Sequence, residues 1–439
     1  MKGLIIAAGK GSRLRKISAD RPKPLTPVMG VPLIERIIRT ALDGGIDKLY
    51  VVTGYMADTL EKFLEQLEKR LNTDITIIRN NDWHEENGVS VLKARQKITE
   101  PFFLMMGDHL FDSRTIKALG EKKLKENEVI LAVDTDLESP FTDMDDATKV
   151  LCENGCILDI GKEIEKFNAV DTGLFLCSPA LFDALEHSIR QGSGTALTAA
   201  LRMMAEKGQV KCCDIKGPWI DVDDEAAYER AEKMLLSSVC GKPGDGPVSR
   251  WVNRPLSSRL SCFLVRYDIT PSQISVFSFL MSVVAAVMMG VPGREFLAAG
   301  GILAQAASVI DGCDGEVARL KYLSSEYGGW LDAVLDRYAD GFVLAGLTFN
   351  AFLSSAMPYW VLFAGFMAIT GSFVLSYTAD KYDRLMKERI QKRTIRIGRD
   401  IRVFIVFSGA VLNMAFAALI LMAVIMNAAT IHRIIICRK

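Results

Sequence analysis

The chain has 439 residues, which is too long for one ordinary hydrophobic core, so two domains are expected. Its net charge of zero averages two unlike halves and says nothing about partners. The chain has no basic stripe with interleaved aromatic residues and no recognised zinc-finger or helix-turn-helix spacing, so the usual nucleic-acid-binding classes are not indicated. The charged residues lie mostly before residue 250 and the long apolar runs after it, so a soluble domain is predicted to precede a membrane domain.

The chain begins with an apolar run that passes directly into glycines and basic residues, LIIAAGKGSRLR. The run stops after about six residues, so it predicts a buried first strand and a cytosolic N-terminus rather than a signal peptide. Gly9 and Gly11 would let backbone amides approach a phosphate, and Arg13 would add positive charge. The spacing is neither the GxxxxGK[ST] of a P-loop nor the GxGxxG of a dinucleotide fold.

Two prolines flank Lys23 in the next segment, RPKPL, and hold its ammonium group in an extended loop. Apolar runs then alternate with helical stretches, at residues 49–55, 75–80, 102–109 and 129–134. This alternation predicts a Rossmann-like α/β domain with a mostly parallel sheet covered on both faces. Ligands of such sheets bind at the C-terminal ends of the strands, where Gly9, Gly11 and Asp108 are expected.

Five motifs in this order resemble those of the nucleotidyltransferases that make nucleotide-sugars and CDP-alcohols. They are LIIAAGKGSRLR, RPKPL, MGDH, WHEENGVSVLKA and PWIDVDDEAAYERA. The resemblance implies that an alcohol phosphate attacks the α-phosphorus of a nucleoside triphosphate and releases pyrophosphate. It also implies catalytic roles for Arg13 and Lys23 and a divalent ion, Mg²⁺ or Mn²⁺, held by Asp108 and Asp221. The residues implied to bind nucleotide are Gly9, Gly11, Arg13, Lys23 and Gly88.

Two positions in this half stay open. Asp223 is a second candidate metal ligand beside Asp221, and the alternative for IDVDDEAA is a helix N-cap with an acidic first turn, made by Asp223 and Asp224. Asp171 stands where many sugar nucleotidyltransferases carry asparagine. It is either a partner for the hydroxyl groups of a polyol or a turn residue.

A glycine- and proline-rich segment, CGKPGDGPVS, marks a domain boundary. The predicted organisation is a cytosolic domain at 1–236, a linker at 237–250 and a membrane domain at 251–439. The membrane domain begins with apolar residues at helical spacing, Trp251, Leu256, Leu260, Phe263 and Leu264. This spacing favours an amphipathic helix on the cytoplasmic membrane surface over an ordinary surface helix.

The long apolar runs that follow lie at residues 272–291, 295–318, 329–353, 358–379 and 403–436. The last is too long for one crossing and is predicted to fold back near Asn413, which gives an all-α polytopic domain of six transmembrane helices. Basic residues gather before the first span, in alternate loops and at the C-terminus. Both termini of this multi-pass cell-membrane protein are therefore predicted to be cytoplasmic.

Four aspartates interrupt the second and third spans in the pattern D-x2-D-G-x2-A-R-x8-G-x3-D-x3-D. Asp311 and Asp314 share one helix face, and so do Asp332 and Asp336. Carboxylates brought together repel one another unless divalent cations compensate their charge. Two metal ions are therefore predicted at the cytoplasmic ends of these spans.

This pattern matches the signature of the CDP-alcohol phosphotransferases at every fixed position. The resemblance implies that Asp311, Asp314 and Asp332 hold metal ions on the diphosphate of a CDP-alcohol. It implies that Asp336 completes the metal cluster and deprotonates the acceptor hydroxyl. Nucleotide contacts are implied for Gly315, Ala318 and Arg319. The basic run at 381–402 is either a site for an anionic acceptor or plain positive-inside topology with lipid-phosphate contacts.

The two halves together resemble the bifunctional enzymes of heat-adapted archaea and bacteria that join an inositol-1-phosphate cytidylyltransferase to a CDP-inositol:inositol-1-phosphate phosphotransferase. The resemblance implies CTP and inositol 1-phosphate as substrates, CDP-inositol as intermediate and phosphorylated di-inositol phosphate, a compatible-solute precursor, as product. It also implies a homodimer formed through the membrane domain. Two alternatives stay open: a membrane half that makes a phospholipid head group, and a soluble half that is regulatory and inactive.

Overall fold

The computed structural model describes the chain except residues 15–16, 18–19, 240, 242–245, 380–381, 383–397 and 439. The chain divides into two compact units, Met1–Leu235 and Leu236–Lys439. Part of the linker predicted at 237–250 lies outside the described residues.

The first unit contains thirteen strands and seven α-helices among its described residues. The strands are β1 Lys2–Ala7, β2 Pro27–Val28, β3 Val31–Pro32, β4 Lys48–Thr53, β5 Asp74–Arg79, β6 Phe102–Met106, β7 His109–Phe111, β8 Val129–Asp134, β9 Lys149–Glu153, β10 Cys156–Gly161, β11 Ala169–Cys177, β12 Val210–Asp214 and β13 Trp219–Asp221. The helices are α1 Leu33–Asp43, α2 Ala57–Leu71, α3 Asn87–Leu92, α4 Ser113–Gly120, α5 Ala180–Arg190, α6 Leu197–Glu206 and α7 Glu225–Val239, which runs past the end of the unit.

Nine of these strands form one sheet in the order β5-β4-β1-β6-β11-β8-β12-β10-β9. Strands β5, β4, β1 and β6 are parallel, as is the β8–β12 pair. The prediction of a mostly parallel sheet is wrong for the other half. There β11 enters antiparallel between β6 and β8, and β10 is antiparallel to both β12 and β9.

Apolar side chains cover both faces of the sheet, as predicted. Strand β1 is a continuous apolar run in which neighbouring residues point to opposite faces, so Ile5 joins one buried cluster and Leu4 the other. Helix α1 buries the stripe that contains Ile34, Ile37 and Ile38 against the first cluster. Helices α5 and α6 pack against the second.

The second unit is helical in its described residues. Its helices are α8 Arg254–Leu264, α9 Pro271–Gly290, α10 Arg294–Leu320, α11 Glu326–Ser354, α12 Pro358–Tyr377, α13 Arg399–Val411 and α14 Ala415–Arg438. Two of them start at residues typical of helix N-termini. Thr270 and Gln273 form a capping box before α9, and the Ser325 hydroxyl accepts a hydrogen bond from Gly328 N at the start of α11.

Four helices in the described part of this unit, α9, α10, α12 and α14, are long and apolar enough to cross a membrane. The predicted count of six is not confirmed. Helix α13 has 13 residues, and α11 carries three aspartates in its first half, Asp332, Asp336 and Asp340. The chain does turn at the predicted place, because α13 ends at Val411, α14 begins at Ala415 and Asn413 has a φ of 56° between them.

Candidate active sites

The glycine loop and Lys23 form one wall of a cavity in the first unit. The loop follows β1, and Gly11 adopts a φ of 58° directly against the Lys23 side chain. The cavity has a volume of about 340 Å³. Its lining includes the predicted residues Gly9, Gly11, Arg13, Lys23, Asp108 and Asp223. The glycine loop and the C-terminal end of β6 therefore lie at the same edge of the sheet, as the sequence predicted.

Replacing Gly11 with alanine is expected to destabilise this unit. The left-handed backbone alone costs a non-glycine residue about 1–2 kcal/mol, and the new Cβ would lie 2.5 Å from the Lys23 Cβ. Thermal unfolding of the full-length protein should show a lower Tm for the first transition. Gly9→Ala is the matched control, since a Cβ there has no neighbour within 4 Å. An equal Tm for both variants would contradict the account.

Lys23 is buried among carboxylates. Its Nζ donates to Asp108 Oδ2 at 2.7 Å and also to Asp223 Oδ1. Burial alone would lower the pKa of Lys23, but the negative charges of Asp108, Asp221 and Asp223 raise it above its ordinary value. The ammonium group therefore stays charged and points into the cavity.

Arg13 is the second cation of this wall. It donates to Asp223 and, through Nη1, to Asp146 Oδ2 at 2.6 Å. Lys162 also pairs with Asp146 at 2.6 Å. Sequence reasoning missed Lys162 and Asp146, because only the folded chain brings them to Arg13.

Beside Lys23 lies a group of three candidate metal-ligating residues, Asp108, His109 and Asp221. Asp108 lies in the turn between β6 and β7, and pairing of β7 with β13 sets Asp221 opposite His109. One ligand atom from each of the three lies within 4.8 Å of the others. His109 Nδ1 is 2.8 Å from Asp108 Oδ1 and 3.6 Å from Asp221 Oδ1.

These groups shift one another's pKa. Burial raises the pKa of Asp221 to about 7. Burial opposes ionisation of His109, but Asp221 and Asp108 raise the pKa of its imidazole to about 9. The pKa of Asp108 is lowered in spite of its burial, because Lys23 and His109 lie against it. Asp108 is therefore an ionised carboxylate, whereas the charge of Asp221 depends on a nearby cation.

The donor set fits a divalent cation. Oδ1 of Asp221 is buried and has no hydrogen-bond partner among the described residues, although an isolated buried carboxylate oxygen is costly. Carboxylate oxygens are the ligands that Mg²⁺ and Mn²⁺ prefer. Asp223 instead pairs with Lys23 and Arg13. The geometry therefore favours Asp221 over Asp223, and both metal assignments stay predictions.

A second cavity of about 320 Å³ adjoins the first and includes Asp171 in its lining. The Asp171 carboxylate accepts a hydrogen bond from Gly173 N at 2.7 Å, and burial raises its pKa to about 6. Asp171 therefore accepts a hydrogen bond within its own turn, and it also lines the cavity. Asn87 lines this cavity, whereas an added Cβ at Gly88 would collide with Thr195 O. The nucleotide-binding role of Gly88 stays a prediction.

In the second unit, Asp311 and Asp314 of α10 meet Asp332 of α11. One carboxylate oxygen from each lies within 4.8 Å of the others. Two serines of α9 hold the first pair: Ser275 donates to Asp314 Oδ2 at 2.6 Å, and Ser278 donates to Asp311 Oδ1 at 3.0 Å. The set of three hard oxygen donors fits divalent cations, and the metal role that the motif implies stays a prediction.

Asp336 lies beside this trio and is joined to it by Arg399. Arg399 Nη1 is 2.6 Å from Asp311 Oδ2 and 2.5 Å from Asp336 Oδ1, and its Nε is 3.3 Å from Asp340 Oδ1. The guanidinium group offsets part of the carboxylate charge. Arg399 belongs to the predicted basic run at 381–402, of which residues 381 and 383–397 lie outside the described residues.

The three predicted nucleotide contacts lie on the turns of α10 after the aspartates. Gly315 N donates to the Asp314 carboxylate, Ala318 is half-buried, and Arg319 Nη2 donates to Val239 O at 2.8 Å. Their roles toward a nucleotide stay predictions.

Comparison with known proteins assigns a family to each half. Residues 3–206 match the MobA-like NTP transferase domain, and residues 268–435 match the CDP-alcohol phosphatidyltransferase family. The chain is 33% identical to the bifunctional IPC transferase and DIPP synthase of Rubrobacter xylanophilus, over 99% of this chain and 96% of that protein. It is 32% identical to the protein of the same name from Aquifex aeolicus, over 97% of this chain and 95% of that protein. The solved inositol-1-phosphate CTP transferase of T. maritima is similar to 53% of this chain and 95% of its own, with 26% identity and a TM-score of 0.47.

Proposed function

Because the chain belongs to the family of bifunctional IPC transferases and DIPP synthases, we propose that it makes CDP-inositol at one site and consumes it at another. In the first reaction, the phosphate of inositol 1-phosphate attacks the α-phosphorus of CTP, and pyrophosphate leaves. In the second, a hydroxyl group of another inositol 1-phosphate attacks the β-phosphorus of CDP-inositol, and CMP leaves. The product is phosphorylated di-inositol phosphate.

The observation that carries this proposal is the presence of two separate charged sites in one chain. The first joins a glycine loop, Lys23 and the Asp108–Asp221 pair, which suits a triphosphate and its cation. The second joins the carboxylates of Asp311, Asp314 and Asp332. Nucleotidyl transfer at the first site does not require the carboxylates of the second site.

In the first reaction, Lys23 and Arg13 bind the phosphates of CTP and stabilise the charge that develops on the departing pyrophosphate. Asp108 and Asp221 would hold a divalent ion, Mg²⁺ or Mn²⁺, which offsets triphosphate charge when bound. Asp171 and Lys162 line the adjoining cavity. There Asp171 accepts hydrogen bonds from inositol hydroxyls, and Lys162 attracts the phosphate of the same substrate.

In the second reaction, Asp311, Asp314 and Asp332 would hold two divalent ions against the diphosphate of CDP-inositol. Asp336 accepts the proton of the attacking hydroxyl. Arg399 contacts both Asp311 and Asp336, so it keeps these two carboxylates close together before the substrate enters.

The membrane arrangement belongs to the same proposal. Six crossings, with α11 and α13 added to the four long apolar helices, put both termini and both sites on the cytoplasmic side. A homodimer through the membrane domain completes the proposal. Cysteine labelling from either side of intact membrane vesicles tests the orientation, and cross-linking in the bilayer tests the dimer.

The direct test of function is incubation of the purified protein with CTP and inositol 1-phosphate in the absence of lipid acceptors. Mass analysis should find pyrophosphate, CMP and phosphorylated di-inositol phosphate. Formation of a product only when a lipid is supplied would favour synthesis of a phospholipid head group instead.

Removing the serines that hold the aspartates should weaken the second reaction. The double variant Ser275→Ala/Ser278→Ala is expected to lower CMP release or the affinity for Mg²⁺ by about 10- to 100-fold, since it removes the hydrogen bonds that orient two metal ligands. The measurement is CMP release against Mg²⁺ concentration with CDP-inositol supplied. Ser282→Ala is the control, because that hydroxyl donates to the backbone oxygen Ser278 O. An unchanged Mg²⁺ profile in the double variant would refute the orienting role.

A further inference from the structure

Helix α8 turns its polar side inward. Ser257 and Ser261 are buried, whereas Leu256 and Phe263 are at least half exposed, and Trp251 in the π-helical turn Ser249–Asn253 just before α8 is 83% exposed. A surface helix of a soluble protein has the opposite arrangement. The apolar side therefore suits lipid, and the polar side requires a partner inside the protein.

That partner is Glu316 of α10, whose side chain is 0% exposed. Its carboxylate accepts hydrogen bonds from Ser257 Oγ at 2.9 Å and Ser261 Oγ at 2.7 Å, and it pairs with Arg254 Nη1 at 2.8 Å. All three donors lie on α8. A buried carboxylate is tolerated only when it is paired and hydrogen-bonded, so this group of four residues fastens α8 to α10.

The attachment lies behind the turn that carries the metal-site aspartates. Glu316 is two residues after Asp314 and five after Asp311, which places it about 200° and 140° from them around the helix. The intervening residues also touch α8. A Cβ at Gly312 would lie 3.5 Å from Ser257 Cβ, and Cys313 Sγ donates to Ser257 O at 3.5 Å.

The aspartate turn is therefore held from two sides. Ser275 and Ser278 of α9 bind the carboxylates directly, and α8 supports the backbone behind them. The sequence motif does not specify Glu316, because residue 316 is one of its variable positions.

We infer that Glu316 is a positioning residue for the second reaction. It holds α8 against α10 and thereby fixes the direction in which the Asp311 and Asp314 carboxylates point toward Asp332. The inference rests on the proposed phosphotransfer at the aspartate cluster. Glu316 acts through the helix and does not touch the substrate.

The test compares Glu316→Leu with Glu316→Gln in the full-length protein reconstituted in lipid bilayers. In the leucine variant, CMP release from CDP-inositol is expected to fall by about 10- to 100-fold, with a higher Mg²⁺ requirement. The KM for inositol 1-phosphate should stay at the wild-type value. Glutamine keeps an acceptor and a donor for the two serines and should restore most of the rate. Hydrogen exchange of amides 254–264 should be faster in the leucine variant than in the wild type.

Three controls separate positioning from general damage. Pyrophosphate release by the same chain reports on the first unit. Glu295→Gln changes an exposed glutamate in the first turn of α10 and should have no effect. The double variant Ser257→Ala/Ser261→Ala removes the two serine hydrogen bonds to Glu316 from the α8 side. Its control is Ser258→Ala, because the Ser258 hydroxyl donates to Pro255 O.

Faster exchange in α8 together with a normal CMP rate and Mg²⁺ profile would overturn the inference. If Glu316→Leu does not fold, the double serine variant decides between the same two outcomes. A wild-type protein that releases no CMP would refute the proposed function and, with it, the role of Glu316 in the second reaction, whereas a normal CMP rate in the variants refutes the role of Glu316 alone.

Discussion

Asp332→Asn is expected to abolish CMP release and to leave pyrophosphate release intact. Asp332 contributes the α11 carboxylate of the acidic trio, and its oxygen lies within 4.8 Å of oxygens from Asp311 and Asp314. An amide keeps the size of the side chain but loses the negative charge that a hard cation requires. The expected loss is at least about 1,000-fold, since cation stabilisation of phosphoryl transfer contributes several kcal/mol.

Two assays on the same preparation measure this effect. CMP release is followed with CDP-inositol and inositol 1-phosphate, and pyrophosphate release with CTP and inositol 1-phosphate. Glu326→Gln, an exposed acidic residue in the first turn of α11, is the matched control and should keep both rates. Loss of both reactions in a folded Asp332→Asn protein would contradict the assignment of two independent sites.

Lys23→Ala is expected to have the opposite effect. The Lys23 ammonium is the buried cation of the first site and donates to Asp108 Oδ2 at 2.7 Å. Without it, the triphosphate loses a preorganised positive charge, and Asp108 and Asp223 lose their partner. Pyrophosphate release should fall by about 100- to 1,000-fold, which is the usual cost of removing one such donor.

CMP release from supplied CDP-inositol should be unchanged in the same variant. Lys23→Gln retains more of the side-chain volume and separates loss of charge from loss of packing. Lys48→Ala is the control, since Lys48 makes an exposed ion pair with Asp74 at 2.8 Å at the first residue of β4. Normal pyrophosphate release in both Lys23 variants would show that this cation is not catalytic.

In the first site, the residues that could be predicted are those that lie in short sequence motifs. The glycine loop, the proline-flanked Lys23 and Asp108 each follow directly from a short pattern, and the parallel pairing of β1 with β6 brings two strand ends to one edge. His109 was missed although it follows Asp108 directly. Its position beside Asp221 depends on the pairing of β13 with β7, which sets the two residues opposite each other.

The mixed sheet was missed for a different reason. Asn154 and Gly155 both have positive φ and join β9 to β10, and this dipeptide is the strongest short-range signal for a hairpin. The sequence therefore contained a clue to the antiparallel half. The insertion of β11 between β6 and β8 has no comparable local signal, because it depends on pairings between distant segments.

In the second unit, helical spacing predicted the two pairs of aspartates and the motif resemblance implied the acidic trio, but neither predicted the residues that support it. Asp311 and Asp314 share a face by their spacing alone. Ser275 and Ser278 recur at helical spacing within an apolar span, which was an available hint, but contact with the aspartates requires the packing of α9 on α10. Arg399 lies 88 residues from Asp311 and could be assigned only to a general basic run.

The central claim is that one chain carries two complete and separate sites connected by a CDP-alcohol. A mixture of the Lys23→Ala and Asp332→Asn proteins, incubated with CTP and inositol 1-phosphate, tests it most directly. We expect each variant alone to give little or no CMP, the Asp332→Asn protein to accumulate CDP-inositol, and the mixture to release much more CMP than either variant. A mixture that releases no CMP, with either variant having also lost the half-reaction of its unaltered site, would contradict the claim of two complete and separate sites.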